Sequence, residues 1–597
     1  MLPNNPVPDE ATAVRQENSY LAAQAEIADE NIPFGEGAFQ KRVLMISAFA
    51  GAISYAQNLL FRMSWHEMDH WCRRTNAFSN MSVAAWKELA IPRHPNGSYS
   101  RCTVRVPPDG GAWARVEPCV QWEFDLDEHG NTAVSEWSVV CQRRRLADAA
   151  QAAELVAMTI TLLALGPIAD RIGRKTVGVL ALAAMLLTLA ATGVATDLQT
   201  FIVVRSAAAA SSAGLFVIRV LLYEITTTTR RLLYTTIGSA LSFVIARTSV
   251  SFAHVLKASW SVWHMLLALF ALVLLVRFRI LVESPSWLIT THREEEARRI
   301  ALNIANINEV PLSHCLEFFK RHMHRAQHVP DGTTGTSQSS YVKRPNLRRT
   351  YVLTACIWTV LGLISVHYNT IRSTERSVYF RTLIDAGIAP LLVAVWPRLK
   401  NSGRVRKVAA YSALVFSSAS ALLFFAYTDY DTALSTSLLV VTRLASILLD
   451  LLEFYLTLAA FPTESRCTGS CVGLASVLIG NAIGLATFRV VLKRREDSWL
   501  VVQTALMAIA AMATMYMPSD DACLSRGMDS LAAASLPSKP SPLSAGQPAC
   551  SAPLSVATEV QAKVSPPDAR GAPKKKGKAN KMPEQFAVRP SRFAANW

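Results

Sequence analysis

Apolar segments of membrane-spanning length recur along the whole chain and constrain its fold more than any other feature. A transmembrane helix needs about 20 apolar residues. The first group of candidate segments comprises Val43–Phe61, Ala149–Ile168, Val177–Ala195, Thr200–Leu222, Leu233–Ala253 and Trp260–Leu281. The second comprises Tyr351–His367, Val378–Trp396, Val408–Tyr427, Leu434–Leu456, Gly469–Val491 and Trp499–Met517. We therefore predict an all-α membrane protein with about twelve transmembrane helices in two six-helix bundles.

Charged residues are scarce and unevenly distributed. The chain is 51% hydrophobic and 17% charged, whereas soluble domains carry about 25% charged residues. Basic clusters such as Arg230-Arg231 and Arg348-Arg349 lie between the apolar segments, and the net charge of +16 agrees with the positive-inside rule. Because these basic residues flank spans and do not form one basic face, we expect a lipid bilayer and no nucleic acid as partner.

The spans divide the chain into five regions. An even number of spans and the absence of a signal peptide place both termini in the cytoplasm of a multi-pass protein, and we expect the plasma membrane. The tail after Met517 is rich in Pro, Ser, Ala and Lys, a composition that does not fold. The predicted regions are a cytoplasmic tail (1–42), an amino six-helix bundle (43–281) with an extracellular loop (62–147), a cytoplasmic linker (282–350), a carboxy six-helix bundle (351–517) and a disordered cytoplasmic tail (518–597).

The predicted extracellular loop contains four cysteines and two glycosylation sequons. An even number of cysteines outside the cell predicts two disulfides, with three possible pairings. Asn80 and Asn96 each begin an Asn-x-Ser sequon. We therefore predict a glycosylated loop with disulfides among Cys72, Cys102, Cys119 and Cys141.

A charged turn punctuated by glycines joins the second and third spans at residues 166–175. Gly166 and Gly173 let two helix ends approach closely. The Asp170 carboxylate can pair with arginines and interact with a helix N-terminus. We predict that these residues, with Arg171 and Arg174, form a latch on the cytoplasmic side.

Several motifs together resemble one transporter family. The Gly-x-x-x-Asp-Arg-x-Gly-Arg-Lys pattern at 166–175 resembles the signature loop of the major facilitator superfamily. The motifs Phe39-Gln40, His70-Trp71-Cys72, Glu-Trp-Ser-Val-Val-Cys (136–141), Glu-Ser-Pro-Ser-Trp-Leu (283–288) and Phe-Pro-Thr-Glu-Ser-Arg (461–466) resemble those of its organic cation, anion and zwitterion transporters, solute carrier family 22. The resemblance implies a Glu224–Arg231 pair in the latch and a basic substrate-path residue at Arg443.

The chain also departs from that family at three positions. The second copy of the signature, at 398–404, lacks its acidic residue. Ala459 replaces a glutamate expected before Pro462-Thr463, and Leu478 occupies a position that is charged in many members. The resemblance therefore gives no cue to the sign of the substrate's charge.

Ionisable residues within the spans are functional candidates, because each costs about 2.5–3.5 kcal/mol to insert. Asp385 and Arg443 fall near the middle of their spans, where this fold places substrate between its halves. Alternatively, such charges pair with one another and only hold helices together, and Arg205 is expected to extend to the membrane interface. The predicted substrate path comprises Arg443, Asp385, Asp450, Glu453 and Glu154, with Trp358 and Tyr368 as cation–π candidates.

These features predict a carrier of small organic ions that works by alternating access, with a cation or zwitterion slightly favoured over an anion. The alternative is a transport-impaired membrane scaffold or pseudo-transporter. We do not expect an enzyme. The chain has no nucleotide-binding loop, which argues against an ATP-driven pump. The His66-Glu67-x-x-His70 pattern fits a zinc protease by letter, but it ends two residues before a predicted disulfide cysteine. We therefore expect no catalytic residue, cofactor or metal, and the sequence leaves the oligomeric state open.

Overall fold

The computed structural model describes the chain from Phe34 to Pro518 with several gaps. The gaps are residues 66–67, 96, 110–112, 127–129, 328–344, 371–401, 429–431 and 491–495. The predictions for Asp385, Asn96 and the span Val378–Trp396 therefore lie outside the described residues. The same is true of the side chain of Tyr368 and of most of both predicted tails.

The described residues before the linker form nine α-helices and two small sheets. The helices are α1 (Ala38–Ser64), α2 (Val83–Ala90), α3 (Ala133–Glu136), α4 (Arg145–Ile172), α5 (Arg174–Gly193), α6 (Leu198–Gly214), α7 (Val217–Ile225), α8 (Thr228–Val255) and α9 (Trp260–Arg277). Helices α6 and α7 follow each other along one apolar segment, Leu198–Ile225, which corresponds to the fourth predicted span. The long helices match the first six predicted spans.

The linker and the second half add eight helices among the described residues. These are α10 (Pro285–Thr290), α11 (Glu294–Ile307), α12 (Leu312–Gln327), α13 (Pro345–Thr370), α14 (Ser402–Thr428), α15 (Thr432–Ala460), α16 (Arg466–Val490) and α17 (Glu496–Met515). Within the described part of the chain, eight segments are long and apolar enough to cross a membrane, and Leu500–Met515 is a shorter apolar helix. The all-α prediction is confirmed.

Large apolar side chains cover the outside of the long helices as well as their inner faces. On α9, Leu269, Phe270 and Val273 are exposed, whereas Ala271 and Leu274 are buried against neighbouring helices. A water-soluble monomer exposes few apolar patches of this kind. In a bilayer the same side chains meet lipid, so the surface fits a membrane protein.

The loop between α1 and α4 contains two antiparallel strand pairs and both predicted disulfides. Strand β1 (His70–Cys72) pairs with β4 (Trp122–Phe124), and β2 (Thr103–Val106) pairs with β3 (Arg115–Pro118). The disulfides join Cys72 to Cys119 and Cys102 to Cys141. This confirms the two disulfides and selects one of the three possible pairings.

The linker helices pack against the first half of the chain. Helix α11 buries Ala297, Ala301 and Ile304 on one face, as expected for an amphipathic helix. The Asn308 side chain follows α11, accepts a hydrogen bond from the Phe39 backbone nitrogen and donates one to the Gln40 side chain. The Phe39-Gln40 motif is thus the point at which the linker is tied to α1.

Helices of the second half approach one another closely through glycines. Helices α13 and α16 pack along each other, and a Cβ on Gly480 or Gly362 would collide with a backbone carbonyl of the opposing helix. Helix α14 packs against both α15 and α17. Small residues allow this backbone proximity within membranes, where van der Waals packing contributes much of helix association.

Candidate gating and substrate site

The turn between α4 and α5 depends on one glycine and one buried carboxylate. Gly173 has φ +107°, and a Cβ there would lie 2.5 Å from Oε2 of Glu283. The Glu283 carboxylate accepts hydrogen bonds from the backbone nitrogens of Arg174 (2.8 Å) and Lys175 (3.1 Å). These bonds satisfy N–H groups that lack helical partners at the start of α5. Burial nevertheless raises the pKa of Glu283 above its ordinary value.

The rest of the 283–288 motif fixes the same turn from the other side. Ser284 caps α10 by accepting a hydrogen bond from the Trp287 backbone nitrogen at 3.3 Å. The buried Trp287 indole donates to the Asp170 carbonyl at 2.8 Å. The Arg174 guanidinium lies over the Trp287 ring, 5.3 Å from its centroid. The motif therefore holds Asp170 and Arg174 in place.

Asp170 joins the two halves of the molecule. Its carboxylate accepts hydrogen bonds from the backbone nitrogens of Cys467 (3.2 Å) and Thr468 (2.8 Å) and from the Thr468 hydroxyl (2.7 Å). These donors lie at the N-terminus of α16, where a negative charge is favoured. The structure thus places Asp170 at a helix N-terminus of the second half, although the other residues predicted for the latch all belong to the first.

Glu224 forms the second connection between the halves. Its Oε1 accepts hydrogen bonds from Nη2 of Arg174 and from Nη1 of Arg466, both at 3.2 Å. The expected Glu224–Arg231 pair is not formed. Instead, the Arg231 Nε donates to the Thr226 carbonyl at 3.1 Å and its guanidinium lies over the Tyr223 ring. Arg174 at the start of α5 and Arg466 at the start of α16 meet at Glu224. Their positions in the sequence did not predict this contact.

We call Asp170, Arg174, Glu224 and Arg466 the latch network, and the end of the bundle that holds them the latch face. All four side chains are buried, and the two carboxylates balance the two guanidinium groups. Removing one member would leave a buried charge without compensation, which is strongly destabilising. Arg171 is exposed.

Gly166 allows the close helix contact beside the latch network. A Cβ at this position would lie 2.8 Å from the Thr468 Cα atom and 3.0 Å from the Cys471 Cβ atom. Helices α4 and α16 pack along each other here. Cys467 and Cys471 are buried free thiols that pack in this contact.

Three members of the predicted substrate path lie between helices of a single half. Glu154 forms an ion pair of 3.5 Å with Arg205, both buried. Glu453 is buried and accepts a hydrogen bond from the Thr514 hydroxyl. The Trp358 indole donates to the Thr457 hydroxyl at 2.9 Å. These side chains stabilise helix packing, because each contacts another helix of its own half.

The expected extension of Arg205 to the membrane interface is wrong. Arg205 is almost fully buried, and its Nη2 donates to the Gln57 carbonyl at 2.6 Å. The negative charge of Glu154 and the carbonyl of α1 draw the guanidinium into the bundle. Position along the span did not predict that Arg205 points into the bundle.

Arg443 lies where the two halves meet. Its guanidinium is 5.8 Å from the ring centroid of Phe243 on α8, although Arg443 itself belongs to α15. Phe243 also makes an edge-to-face contact with Tyr55, with centroids 5.7 Å apart. Asp450, seven residues after Arg443, is exposed and interacts electrostatically with it. Of the predicted path, Arg443 thus lies at the boundary between the halves.

Arg219 on α7 belongs to the same region and was missed in the sequence. Its guanidinium lies 4.9 Å from the Tyr55 ring centroid and 5.8 Å from that of Phe454 on α15. The rule that flags ionisable residues inside spans applies to it equally, since it lies within Thr200–Leu222. We call Tyr55, Arg219, Phe243, Arg443 and Phe454 the central cluster.

The model of the Major Facilitator Superfamily matches residues 145–487, from the start of α4 to the end region of α16. The chain belongs to the major facilitator superfamily. It is therefore a multi-pass membrane protein of a transporter family, and it is similar in sequence to members of solute carrier family 22. The family points to transport of small organic solutes and not to an enzyme.

Proteins similar in sequence to this chain come from several animals. Solute carrier family 22 member 13 of Homo sapiens is 24% identical over 67% of this chain and 73% of its own length. The beta-alanine transporter of Drosophila melanogaster is 23% identical over 56% and 61%. Organic cation transporter 1 of Caenorhabditis elegans is 23% identical over 67% and 69%.

Solved structures support the fold. A proton:xylose symporter of the superfamily, bound to 6-bromo-6-deoxy-D-glucose, aligns with a TM-score of 0.55 at 12% identity and covers 81% of this chain and 96% of its own. A partially occluded inward open form of the xylose transporter from E. coli aligns with a TM-score of 0.51 at 11% identity, covering 81% and 100%. At this identity the likeness concerns the fold alone.

Proposed function

We propose that this chain carries small organic ions across the plasma membrane by alternating access, with the latch face and both termini in the cytoplasm. The observation that carries the proposal is the latch network. It joins α4, α5 and α7 of one half to α16 of the other through buried, charge-assisted hydrogen bonds. A pair of halves that rock against each other needs a contact of this kind at the closed end.

Opening toward the cytoplasm breaks specific bonds in this proposal. Asp170 leaves the N-terminus of α16, and Glu224 loses Arg466 but keeps Arg174, which belongs to its own half. Water then enters and hydrates the separated charges, so the cost of separation is offset in part. The halves have two stable arrangements, because the charges form ion pairs in the closed arrangement and are hydrated in the open one.

The central cluster supplies the site that alternates between the two sides. It combines side chains of both halves, with Tyr55, Arg219 and Phe243 from the first and Arg443 and Phe454 from the second. Guanidinium groups and aromatic rings suit organic ions that have both a charged group and an apolar body. The names of the relatives, which include a beta-alanine transporter and an organic cation transporter, favour the same substrate class.

Uptake of a labelled panel tests the proposal against the scaffold alternative. Cells expressing the chain receive radiolabelled benzoate, salicylate, tetraethylammonium and β-alanine, and their uptake is compared with that of mock-transfected cells. Saturable uptake of at least one member supports the carrier. The absence of uptake of every member, at normal abundance on the cell surface, would favour the scaffold.

Accessibility of the chain to enzymes and antibodies tests the orientation. Asn80 is exposed in the loop opposite the latch face. Removal of its glycan by glycosidase added to intact cells, together with an amino-terminal epitope tag detected only after permeabilisation, is the expected result. A tag detected on intact cells would contradict the proposed orientation.

A further inference from the structure

We propose that Arg219 is the anchor for the anionic group of the transported solute, so that the substrate is an organic anion with an apolar or aromatic body. The inference rests on the proposed carrier function and names its substrate class. It also reverses the slight preference for a cation or zwitterion that the sequence suggested.

The first observation is that Arg219 has few partners for its charge. A guanidinium has five N–H donors. In the described part of the chain, Arg219 makes one side-chain hydrogen bond, from Nη1 to the Tyr55 hydroxyl at 3.2 Å. No carboxylate oxygen among the described residues lies within ion-pair distance of it. Arg174, Arg205 and Arg466, by contrast, each have a carboxylate partner.

Depth makes this lack of a partner costly. Arg219 lies six residues before the end of the apolar segment Leu198–Ile225, about 9 Å along the helix from that end. A charge inside a membrane span is expensive unless it is paired or hydrated. The side chain is half-buried, so a small solute can reach the donors that the protein does not use.

The surroundings of Arg219 suit the body of an organic anion. The rings of Tyr55 and Phe454 lie near the guanidinium, at 4.9 and 5.8 Å from their centroids. A planar carboxylate can accept two parallel hydrogen bonds from an arginine, which a lysine does not offer. Gly51 lies alongside, where a Cβ would come within 2.7 Å of Nη2 of Arg219. Because Gly51 has no side chain, the guanidinium can occupy this position.

The position of Arg219 also connects binding to the movement of the halves. Tyr55 and Arg219 lie in the first half, whereas Phe454 lies on α15 of the second. An anion held by Arg219 is thus contacted by both halves, and its release follows when Phe454 moves away.

The test compares substitutions of Arg219 with a substitution of an exposed arginine. Arg219→Gln removes the charge. Arg219→Lys keeps the charge but cannot donate two parallel hydrogen bonds to one carboxylate. Arg277→Gln removes an exposed charge at the end of α9. Uptake of labelled benzoate and tetraethylammonium is measured for each, normalised to surface abundance. We expect Arg219→Gln to lower benzoate uptake by about tenfold or more, as for loss of a charged hydrogen-bond partner, and Arg277→Gln to leave it unchanged.

Failure of this inference is distinguishable from failure of the carrier proposal. A wild-type chain that moves tetraethylammonium but not benzoate would leave the carrier standing and overturn the role of Arg219. Equal benzoate uptake by wild type and Arg219→Gln would also overturn the role of Arg219 and leave the carrier standing. If Arg219→Gln does not reach the membrane, Arg219→Lys decides, because a several-fold rise in KM for benzoate is expected and an unchanged KM overturns the inference.

Discussion

The carboxylate of Asp170 lies 2.8 Å from the backbone nitrogen and 2.7 Å from the hydroxyl of Thr468, 298 residues further along the chain. A residue at the end of α4 thus caps α16 of the opposite half. An N-terminal cap of this type contributes about 0.5–2 kcal/mol to helix stability. Separation of the halves at the latch face must therefore expose the N-terminus of α16 to water.

Asp170→Ala should weaken closure of the latch face and slow transport. The change removes the cap of α16 and the partner of Arg174 at 3.1 Å. Cys467 is a buried free thiol at this contact, so its modification by a membrane-permeant maleimide should become faster. The measurement is the rate of Cys467 labelling alongside uptake of the accepted solute.

Two variants control the Asp170 experiment. Asp170→Asn retains an acceptor oxygen for Thr468 and should fall between wild type and Asp170→Ala in both measurements. Cys467→Ser identifies the labelled thiol. Normal uptake by Asp170→Ala at equal surface abundance would contradict the role of the latch.

Glu224→Ala should destabilise the protein more than any single change at a surface ion pair. The Glu224 carboxylate is buried between Arg174 and Arg466, both at 3.2 Å. Removal of one partner from a buried pair costs about 3–5 kcal/mol, because the other charge stays buried and unpaired. The measurement is the thermal unfolding midpoint of the protein in detergent.

A matched surface pair and a double substitution complete that test. Arg298 and Glu295 form an exposed pair at 3.5 Å, and Glu295→Ala should change the stability by at most about 1 kcal/mol. Arg466→Ala combined with Glu224→Ala should cost less than the sum of the single changes. Additive effects would show that the two side chains do not interact in the closed state.

Substitution of either cysteine of a disulfide should have the same effect as substitution of both. The pairs Cys72–Cys119 and Cys102–Cys141 close loops with sequence separations of 47 and 39. Loss of a native disulfide typically costs about 2–5 kcal/mol in a small secreted domain, so surface abundance should fall. Cys72→Ser with Cys119→Ser should match either single change, whereas Cys72→Ser with Cys102→Ser should be worse than both. The exposed free thiol Cys356 provides the control, since Cys356→Ser should have no effect.

Glu283→Gln should alter how stability depends on pH. Burial raises the pKa of Glu283 in the folded protein, so the folded state binds this proton more tightly than the unfolded state does. The resulting stabilisation is fully present below the ordinary carboxyl pKa and is lost as the pH rises through the raised value. Glutamine does not titrate. As the pH rises across that window, the unfolding midpoint of the variant should therefore increase relative to that of wild type. A difference that does not change with pH would contradict this.

Much of the fold follows from local patterns. Long apolar segments predicted the helices, and four cysteines in one loop predicted two disulfides. The motif at 283–288 was recognised as a family element, but its action was not deduced. Its Glu283 caps α5 and its Trp287 binds the Asp170 carbonyl, contacts between residues more than a hundred positions apart.

The candidate site was predicted less completely, for a physical reason. Spans that are apolar nearly all round give no periodic signal for which face turns inward. Arg205 was therefore expected at the interface but is buried, and Glu453 was expected on the substrate path but lies between helices. Arg466 belongs to the motif at 461–466, yet its bond to Glu224 joins positions 242 residues apart.

The sequence by itself determined that the chain folds as membrane-length helices, carries a disulfide-bonded loop and has a charged turn at 166–175. These features depend on the apolarity and residue types of short segments. Only the tertiary structure decided that Asp170 caps α16, that Glu224 bridges Arg174 and Arg466, and that Arg219 lies between Tyr55 and Phe454. Such contacts depend on helix rotation and on which helices become neighbours, and both are set by packing across the whole bundle.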